Sequence, residues 1–329
     1  MTQTRLLILL ALTTAALFAA SLAIGPAGLS SVAVLDALLG RGAEAARIIV
    51  VEIRLPRAIL ALLIGGALGL SGAVLQGYLR NPLAEPGLIG VSAASAFGAV
   101  LTLYTGVASA FALALPLGGI AGAALGVLAV QLLAGRETGS LALILAGIAV
   151  TSFAGALTAL ALNLAPSPFA ALEIVFWMMG SLADRSFTHV ALAAPFTIIG
   201  MALLLTTGRA LDALTLGEDT AATLGINLSA LRRRIIAGTA IAVGAATAVA
   251  GAIGFIGLVV PHLLRPWTGY RPSKLLPASA LGGAALTLAA DCAVRLIATG
   301  NELKLGVVTA LIGAPFFLWL VVAERRRRA

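Results

Sequence analysis

Long runs of apolar residues, separated by short polar connectors, constrain this chain more than any other feature of its sequence. Of its 329 residues, 60% are hydrophobic and 10% are charged, whereas soluble domains carry about 25% charged residues. A helix needs about 20 apolar residues to cross a bilayer, so the length accommodates roughly ten crossings and little else. The sequence therefore predicts an all-α polytopic membrane protein in which residues 1–329 form a single transmembrane domain.

The predicted spans follow the apolar runs. They are about 6–24, 58–79, 88–107, 112–133, 140–162, 189–207, two crossings within 235–264, 275–298 and 305–323. Residues 25–56 form a polar connector with an amphipathic piece at 32–39, and residues 169–179 form a short interfacial piece. Glycines recur every fourth residue inside the runs, at Gly65 and Gly69 and at Gly118, Gly122 and Gly126, which predicts close helix packing.

The placement of positive charges predicts the topology. The run 235–264 is too long for one comfortable crossing of the membrane and short for two. If it crosses twice, with a short second segment at about 253–264, both termini lie on the same side of the membrane. That side then holds fourteen of the 21 Lys and Arg residues: Arg5, Arg80, Arg136, Arg209, Arg232, Arg233, Arg234, Arg265, Arg271, Lys274 and Arg325 to Arg328. We predict about ten transmembrane helices with both termini cytoplasmic.

The longest polar segment lies in mid-chain at residues 211–234, LDALTLGEDTAATLGINLSALRRR, and we call it the shelf. Glu218 and Asp219 suit the first turn of a short helix, and Gly225 suits its end. With a turn at Gly217, the segment is long enough for two short helices at about 211–229. We expect a folded cytoplasmic platform for a partner; the alternative is a merely solvated loop.

The sequence offers no energy source of its own. A phosphate-binding loop requires GxxxxGK[ST], but Lys274 and Lys304 follow Ser273 and Leu303 rather than glycine. The motifs of dinucleotide-binding folds, zinc proteases and serine hydrolases are also missing from the sequence. We therefore expect a transport or scaffold protein rather than an enzyme.

No metal, cofactor or nucleic-acid site is expected either. His189 and His262 fall at opposite faces of the predicted membrane protein, so they cannot share one metal. Cys292 is the single cysteine, which rules out a cysteine cluster within one chain. The basic residues lie at the ends of apolar runs without interleaved aromatics, a pattern that indicates topology rather than nucleic-acid binding.

One acidic residue lies inside an apolar run. Asp291 is followed four residues later by Arg295, and residues at this spacing pair on one helix face. A helix-end ion pair is the favoured interpretation. The alternative is a proton-relaying carboxylate, which leaves an ion-coupled secondary transporter as a second hypothesis.

Several segments together resemble the FecCD family of ABC transporter permeases, the membrane subunits of type II importers for iron-siderophores, haem and vitamin B12. The matching segments are IRLPRAILALLIGGALGLSGAVLQGYLRNPLAEPGLIGVSAASAFG (53–98), WMMGSL (177–182), LGEDTAATLGIN (216–227), GFIGLVVPHLLR (254–265), LLPASALGGAALTLAAD (275–291) and ELKLGVVTALIGAPFFLWLV (302–321).

The resemblance implies a fold like that of the vitamin B12 permease, a homodimer in the bacterial cytoplasmic membrane, and an iron chelate as substrate, with haem or vitamin B12 as alternatives. It also implies three partners: a second copy of the chain, two cytoplasmic ATPase subunits that bind the ATP, and one external substrate-binding protein.

The resemblance also assigns roles to residues. Arg54, Arg57 and Arg295 are implied to dock the binding protein, since a guanidinium holds a partner's carboxylate with two bonds. The alternatives are that Arg54 and Arg57 only anchor their span and that Arg295 pairs with Asp291.

The shelf matches the family's coupling helices, which contact the ATPase. Ser140 matches the inner gate, with Leu141 beside it where a related vitamin B12 permease has a second small hydroxyl residue. The implied coupling positions are Leu216, Gly217, Glu218, Ala221, Leu224 and Gly225.

Overall fold

A computed structural model describes residues 2–111, 113–135, 140–297 and 303–328. These residues form helices joined by turns, with no strand among them, which confirms the predicted all-helical class. The helices are α1 Gln3–Ala23, α2 Ser31–Leu38, α3 Glu44–Arg47, α4 Leu55–Tyr78, α5 Val91–Tyr104, α6 Ala114–Ala134, α7 Ser140–Asn163, α8 Pro168–Met178, α9 Phe187–Leu205, α10 Gly208–Leu214, α11 Glu218–Thr223, α12 Leu228–Ala250, α13 Ile256–Leu264, α14 Pro272–Ile297 and α15 Leu305–Arg328.

Seven helical segments of the described chain are long and apolar enough to cross a membrane. They are Gln3–Ala23, Glu44–Tyr78, Ala114–Ala134, Leu141–Asn163, Phe187–Leu205, Leu228–Ala250 and Pro272–Ile297. Three more apolar helices are shorter: Val91–Tyr104, Pro168–Met178 and Leu305–Leu320. These findings support a polytopic membrane protein, while the ten crossings and the cytoplasmic termini stay predictions.

The helix of the second predicted span begins earlier than the sequence indicated. A π-helical stretch, Ile48–Arg54, joins α3 to α4 without a break, so the helix runs from Glu44 to Tyr78 and takes in part of the predicted connector. Proline lacks an N–H and its ring collides with the carbonyl four residues back. Here Pro56 follows a wider turn, in which the Leu55 N–H donates to the Val50 carbonyl, and the helix continues through it.

Glycines bring α4 and α14 into backbone contact, as their spacing predicts. A Cβ on Gly65 would meet the carbonyl of Gly283, and a Cβ on Gly69 would meet the carbonyl of Ser279. Most of α4 is buried, because α9, α12 and α13 also pack against it. This close approach makes α4 and α14 the centre of the molecule.

A second close pair, α5 and α6, depends on the other predicted glycines. A Cβ on Gly122 would collide with the carbonyl of Ala94, and one on Gly118 would meet Thr102 Cγ2. Helix α7 packs on α5, while α12 lies between this pair and α9. The small residues therefore build both halves of the helical bundle.

The chain breaks its helix at residues 251–255, inside the long apolar run. Gly251 (φ +73°) and Phe255 (φ +66°) adopt left-handed backbone conformations there. The nine residues of α13 span only about 13 Å at 1.5 Å per residue, and residues 256–261 are buried against the protein. A short second helix is therefore present in the run, as expected, and its crossing of the membrane stays a prediction.

Candidate functional site

The shelf contains two short helices, the end of α10 and α11, as its acids and glycines predict, while its last residues, 228–234, form the start of the long helix α12. Gly217 (φ +106°) turns the chain between α10 and α11, and Gly225 (φ +85°) follows the end of α11. Glu218 and Asp219 occupy the first turn of α11, where acidic side chains stabilise the helix by interacting with the positive end of its dipole. Local sequence therefore accounts for where α11 begins and ends.

The predicted coupling residues divide into exposed and buried groups. Leu216 is 65% exposed and Leu224 is 60% exposed, and these leucines flank α11. Ala221 is fully buried and holds α11 onto the body. Two exposed apolar side chains therefore lie on an otherwise polar segment. The coupling role of these residues stays a prediction.

Polar side chains attach the shelf to the body at two places. Asp212 of α10 accepts from the backbone N–H of Ser273 (2.8 Å) and from its hydroxyl (2.5 Å) at the start of α14. Glu218 of α11 pairs with Arg80 at 3.5 Å, and both side chains are well exposed. An exposed ion pair contributes little, so α10 is held more firmly than α11.

A buried group of four charged residues, which we call the arginine cluster, lies at the opposite end of α14 from the shelf. It consists of Arg54, Arg57, Asp291 and Arg295. Asp291 is fully buried; Arg57 binds it through Nε and Nη2 at 2.8–3.1 Å, and Arg295 Nη2 lies 2.9 Å from its other oxygen. The predicted pair of Asp291 with Arg295 is confirmed.

The end of α1 completes this cluster. Arg54 Nη1 donates to the carbonyls of Leu22 (2.8 Å) and Ala23 (2.9 Å), while Arg295 Nη1 donates to two neighbouring carbonyls at 2.8 and 2.9 Å. The last carbonyls of a helix lack N–H partners within it, and they form its negative end. The sequence gives no signal for these contacts, because they join segments that lie far apart in the chain.

The structure thus brings the three predicted docking arginines together and directs them inward. Arg54 is 4% exposed and Arg57 is 8% exposed, and the Arg295 side chain is 6% exposed. Their guanidinium groups are engaged with Asp291 and with α1. Docking by these arginines stays a prediction, and this geometry favours the alternative that they anchor helices.

Two apolar grooves run along the helices. A groove of about 560 Å³ lies between α8, the break at 251–255 and α15, and its lining residues are Met178, Met179, Ala252, Gly306, Val307, Ala310, Leu311, Ala314 and Pro315. A groove of about 540 Å³ lies between α5, α6 and α7. Both grooves suit contact with apolar groups rather than tight polar recognition.

The predicted gate lies at the start of α7. Leu141 is 66% exposed there. Ser140 opens the helix, but its side chain lies outside the described residues. The gate assignment therefore stays a prediction.

A smaller groove of about 440 Å³ lies between α8 and the connector that follows it. Arg185 Nε donates to the Val249 carbonyl at 2.7 Å. Burial lowers the pKa of Arg185, and the neighbouring Asp184 opposes that shift. Lys304 Nζ lies 5.8 Å from the ring centroid of Phe176, within cation–π range. This groove presents charges of both signs beside aromatic rings.

The two histidines occupy different helices. His189 Nδ1 accepts from the backbone N–H of Ser186 at 3.2 Å at the start of α9, and the His262 ring packs 5.6 Å from Phe316. In the part of the chain that the structure describes, no three His, Cys, Asp or Glu side chains form a group that could hold a metal ion.

Comparison with known proteins gives the family. The pattern of the FecCD transport family matches residues 11–323, which is nearly the whole chain. The chain belongs to the FecCD transport family. It is therefore the permease subunit of an ABC importer, a transport component rather than an enzyme.

Relatives within the family differ in what they carry. The chain is 40% identical to the cobalamin import system permease BtuC of Halobacterium salinarum, over 87% of this chain and 76% of that protein. It is 39% identical to the hemin transport system permease HmuU of Yersinia pestis, over 84% of each chain. It is 38% identical to the Fe(3+) dicitrate permease FecD of Escherichia coli K12, over 84% of this chain and 86% of that protein.

A solved structure shares the fold. A metal-chelate type ABC transporter in an inward-facing conformation superimposes with a TM-score of 0.87 at 32% identity, and the match covers 97% of this chain and 99% of that one. The helical arrangement described above is therefore that of an ABC importer permease.

Proposed function

We propose that this FecCD permease carries an iron chelate into the cell by alternating access, driven by separate ATPase subunits. The complex contains two copies of this chain, two ATPases and one external binding protein in the bacterial cytoplasmic membrane. Each copy crosses the membrane ten times with both termini in the cytoplasm. The observation that carries the proposal is the shelf, which presents Leu216 and Leu224 to a partner.

The energy for transport comes from ATP hydrolysis in the partner ATPase and reaches the permease through the contact between the two proteins. The sequence has no phosphate-binding loop of its own, so ATP binds to the partner and the chain needs no cofactor. The exposed leucines and the helix between them fit a cleft on such a partner, because an apolar anchor surrounded by polar residues is typical of a protein interface.

The substrate is a metal chelate in this proposal, with iron-siderophore as the first choice and haem or cobalamin as the alternatives. The relatives named above and the metal-chelate type transporter support this class. The groove along α15 is apolar, so substrate contact within the permease is sparse and the binding protein sets the specificity. A second copy of the chain closes the path, with the gate at Ser140 and Leu141.

A second experiment asks whether the binding protein docks on the three buried arginines or on exposed ones. Arg41, just before α3, and Arg47, at its end, are both exposed. The doubly substituted Arg41→Glu, Arg47→Glu permease keeps the buried cluster intact. If this variant loses stimulation by the binding protein while Arg57→Lys retains it, docking uses the exposed arginines. The opposite result assigns docking to the cluster.

The function is tested by reconstituting the permease with its ATPase and binding protein in proteoliposomes. Ferric siderophore, ferric dicitrate, haemin and cobalamin are offered in turn as probes. The proposal predicts that ferric siderophore or ferric dicitrate stimulates ATP hydrolysis and enters the vesicles. Uptake of haemin alone or of cobalamin alone would replace the iron chelate by that alternative, and uptake of none would contradict the proposal.

A further inference from the structure

Asp212 joins the shelf to the start of α14. One carboxylate oxygen accepts from the Ser273 backbone N–H at 2.8 Å, and the other accepts from the Ser273 hydroxyl at 2.5 Å. Ser273 is the second residue of α14, where backbone N–H groups have no partner within the helix and a negative charge is favoured. A carboxylate held by two bonds is fixed in both position and orientation.

Close packing surrounds this joint. A Cβ on Gly208 would lie 3.1 Å from Ser273 Cα, so α10 approaches α14 backbone to backbone. Leu211 is fully buried, and its Cδ1 lies 3.6 Å from the Cβ position of Gly77 in α4. Helix α10 therefore packs against the ends of both central helices.

Helix α11 is attached less firmly than α10. Ala221 packs it against the body, but its ion pair with Arg80 is solvent-exposed, and the exposed Leu216 and Leu224 lie just outside its two ends. Helix α11 is joined to α10 by residues 215–217 and to α12 by residues 224–227. Through α10 and Asp212, it also has a short connection to the start of α14.

Helix α14 extends from this connection to the arginine cluster. It runs without a break from Pro272 to Ile297, and Asp291 lies 18 positions after Ser273, which corresponds to about 27 Å along the helix. At Asp291 the helix is locked to Arg57 of α4, and at Arg295 it is locked to the end of α1. Both ends of α14 are thus fixed by carboxylates, one at the shelf and one at the arginine cluster.

We propose that Asp212 is the positioning residue that transmits movement of the shelf to α14, and thereby couples the partner's ATP hydrolysis to transport. This inference rests on the proposed function. Asp212 contacts neither the substrate nor the ATPase in this account. It acts by keeping α10 and α14 one rigid unit.

The test compares four variants of the reconstituted complex of permease, ATPase and binding protein. Asp212→Ala removes both bonds, and Ser273→Ala removes the hydroxyl bond alone. Asp212→Asn retains the geometry, because the amide oxygen accepts from the Ser273 N–H and the amide nitrogen donates to its hydroxyl. Thr14→Val is the matched control, since Thr14 Oγ1 also bonds α14, at the Leu281 carbonyl (3.2 Å), but from α1 rather than from the shelf.

The readout is the amount of substrate taken up per ATP hydrolysed, with whichever chelate the unaltered complex transports. Asp212→Ala lowers this ratio on the order of ten-fold or more, because both bonds that join α10 to α14 at Ser273 are lost, while ATP hydrolysis changes less than about two-fold. Ser273→Ala gives an intermediate ratio, and Asp212→Asn and Thr14→Val keep the original one. An unchanged ratio in Asp212→Ala, or an equal loss in Thr14→Val, overturns the inference.

A second measurement does not depend on the substrate. Spin labels are attached at Thr215→Cys, which follows α10, and at Leu296→Cys, near the end of α14. The distance between the two labels is measured in nucleotide-free and in ATP-bound complexes. Native Cys292 is buried and is left in place. The account predicts one narrow distance distribution that broadens in Asp212→Ala and stays narrow in Asp212→Asn. Equal widths in all three overturn the inference. Failure of the unaltered complex to transport any chelate contradicts the proposed function instead.

Discussion

At the scale of single residues, the carboxylate of Asp291 organises the end of the molecule opposite the shelf. Its pairing with Arg295 could be predicted from the i, i+4 spacing. Its second partner, Arg57, is 234 residues away in the chain, and no local pattern encodes such a contact. Held between two guanidinium groups and fully buried, Asp291 has no access to the water that a proton relay requires.

Replacing Asp291 by asparagine leaves two buried guanidinium groups without their counter-charge. Removing one partner of a buried ion pair costs about 3–5 kcal/mol, so we expect Asp291→Asn to lower the thermal unfolding midpoint of the purified permease sharply. Asp219→Asn, on the exposed face of α11, serves as the control and leaves the midpoint unchanged. Equal midpoints for the two variants would show that the cluster does not stabilise the fold.

At the scale of elements, the packing of α4 on α14 requires residues without side chains. A Cβ on Gly69 would collide with the Ser279 backbone, whereas a Cβ on Gly155 in α7 would meet nothing within 4 Å. Gly69→Ala should destabilise the permease by about 1–3 kcal/mol through overpacking. Gly155→Ala should be neutral or stabilise it by up to about 1 kcal/mol. Thermal unfolding distinguishes the two, and an equal effect would contradict the close packing.

The shelf helices were predictable because glycines and acids act locally, whereas the π-helical stretch before Pro56 was not. A single wider turn changes the register by one residue and leaves no periodicity in the sequence. Because of that stretch, Arg54 and Arg57 lie on a continuous helix and not in the connector that the sequence predicts. Their inward direction follows from the helix and could not be inferred from the RLPR motif.

The exposed leucines of the shelf should matter for assembly and not for folding. Leu216→Ser with Leu224→Ser removes the apolar surface that we assign to the ATPase contact, so we expect a loss of at least about ten-fold in ATPase affinity, typical of interface anchors. Leu35→Ser with Leu39→Ser is the matched control, since these leucines are comparably exposed on and after α2. Binding of the ATPase to both variants is measured in detergent. Equal affinities would remove the shelf from the contact.

At the scale of the whole molecule, charge placement predicts the orientation that the fold alone leaves open. Thr223 on α11 and Ala27 after α1 are both exposed, and the ten-crossing topology places them on opposite sides. In intact cells, a membrane-impermeant thiol reagent should label Ala27→Cys and leave Thr223→Cys unlabelled until the membrane is opened. Labelling of both from outside would contradict the cytoplasmic shelf.

Family and transport class could be predicted from sequence motifs distributed over most of the chain, and the fold agrees with them. The substrate could not, because relatives of similar identity carry cobalamin, haemin and ferric dicitrate. The two larger grooves have apolar linings, and such surfaces accept many shapes with little discrimination. The proposed function therefore assigns the specificity to the binding protein.

The central claim is that ATP hydrolysed by a partner drives transport through the shelf, and chelate uptake into proteoliposomes tests it most directly. The account predicts uptake when the ATPase, the binding protein and ATP are all present. It predicts no uptake by the permease alone under a proton or sodium gradient. Gradient-driven uptake by the lone permease that is lost in Asp291→Asn, in a preparation that remains folded, would contradict it and identify an ion-coupled carrier.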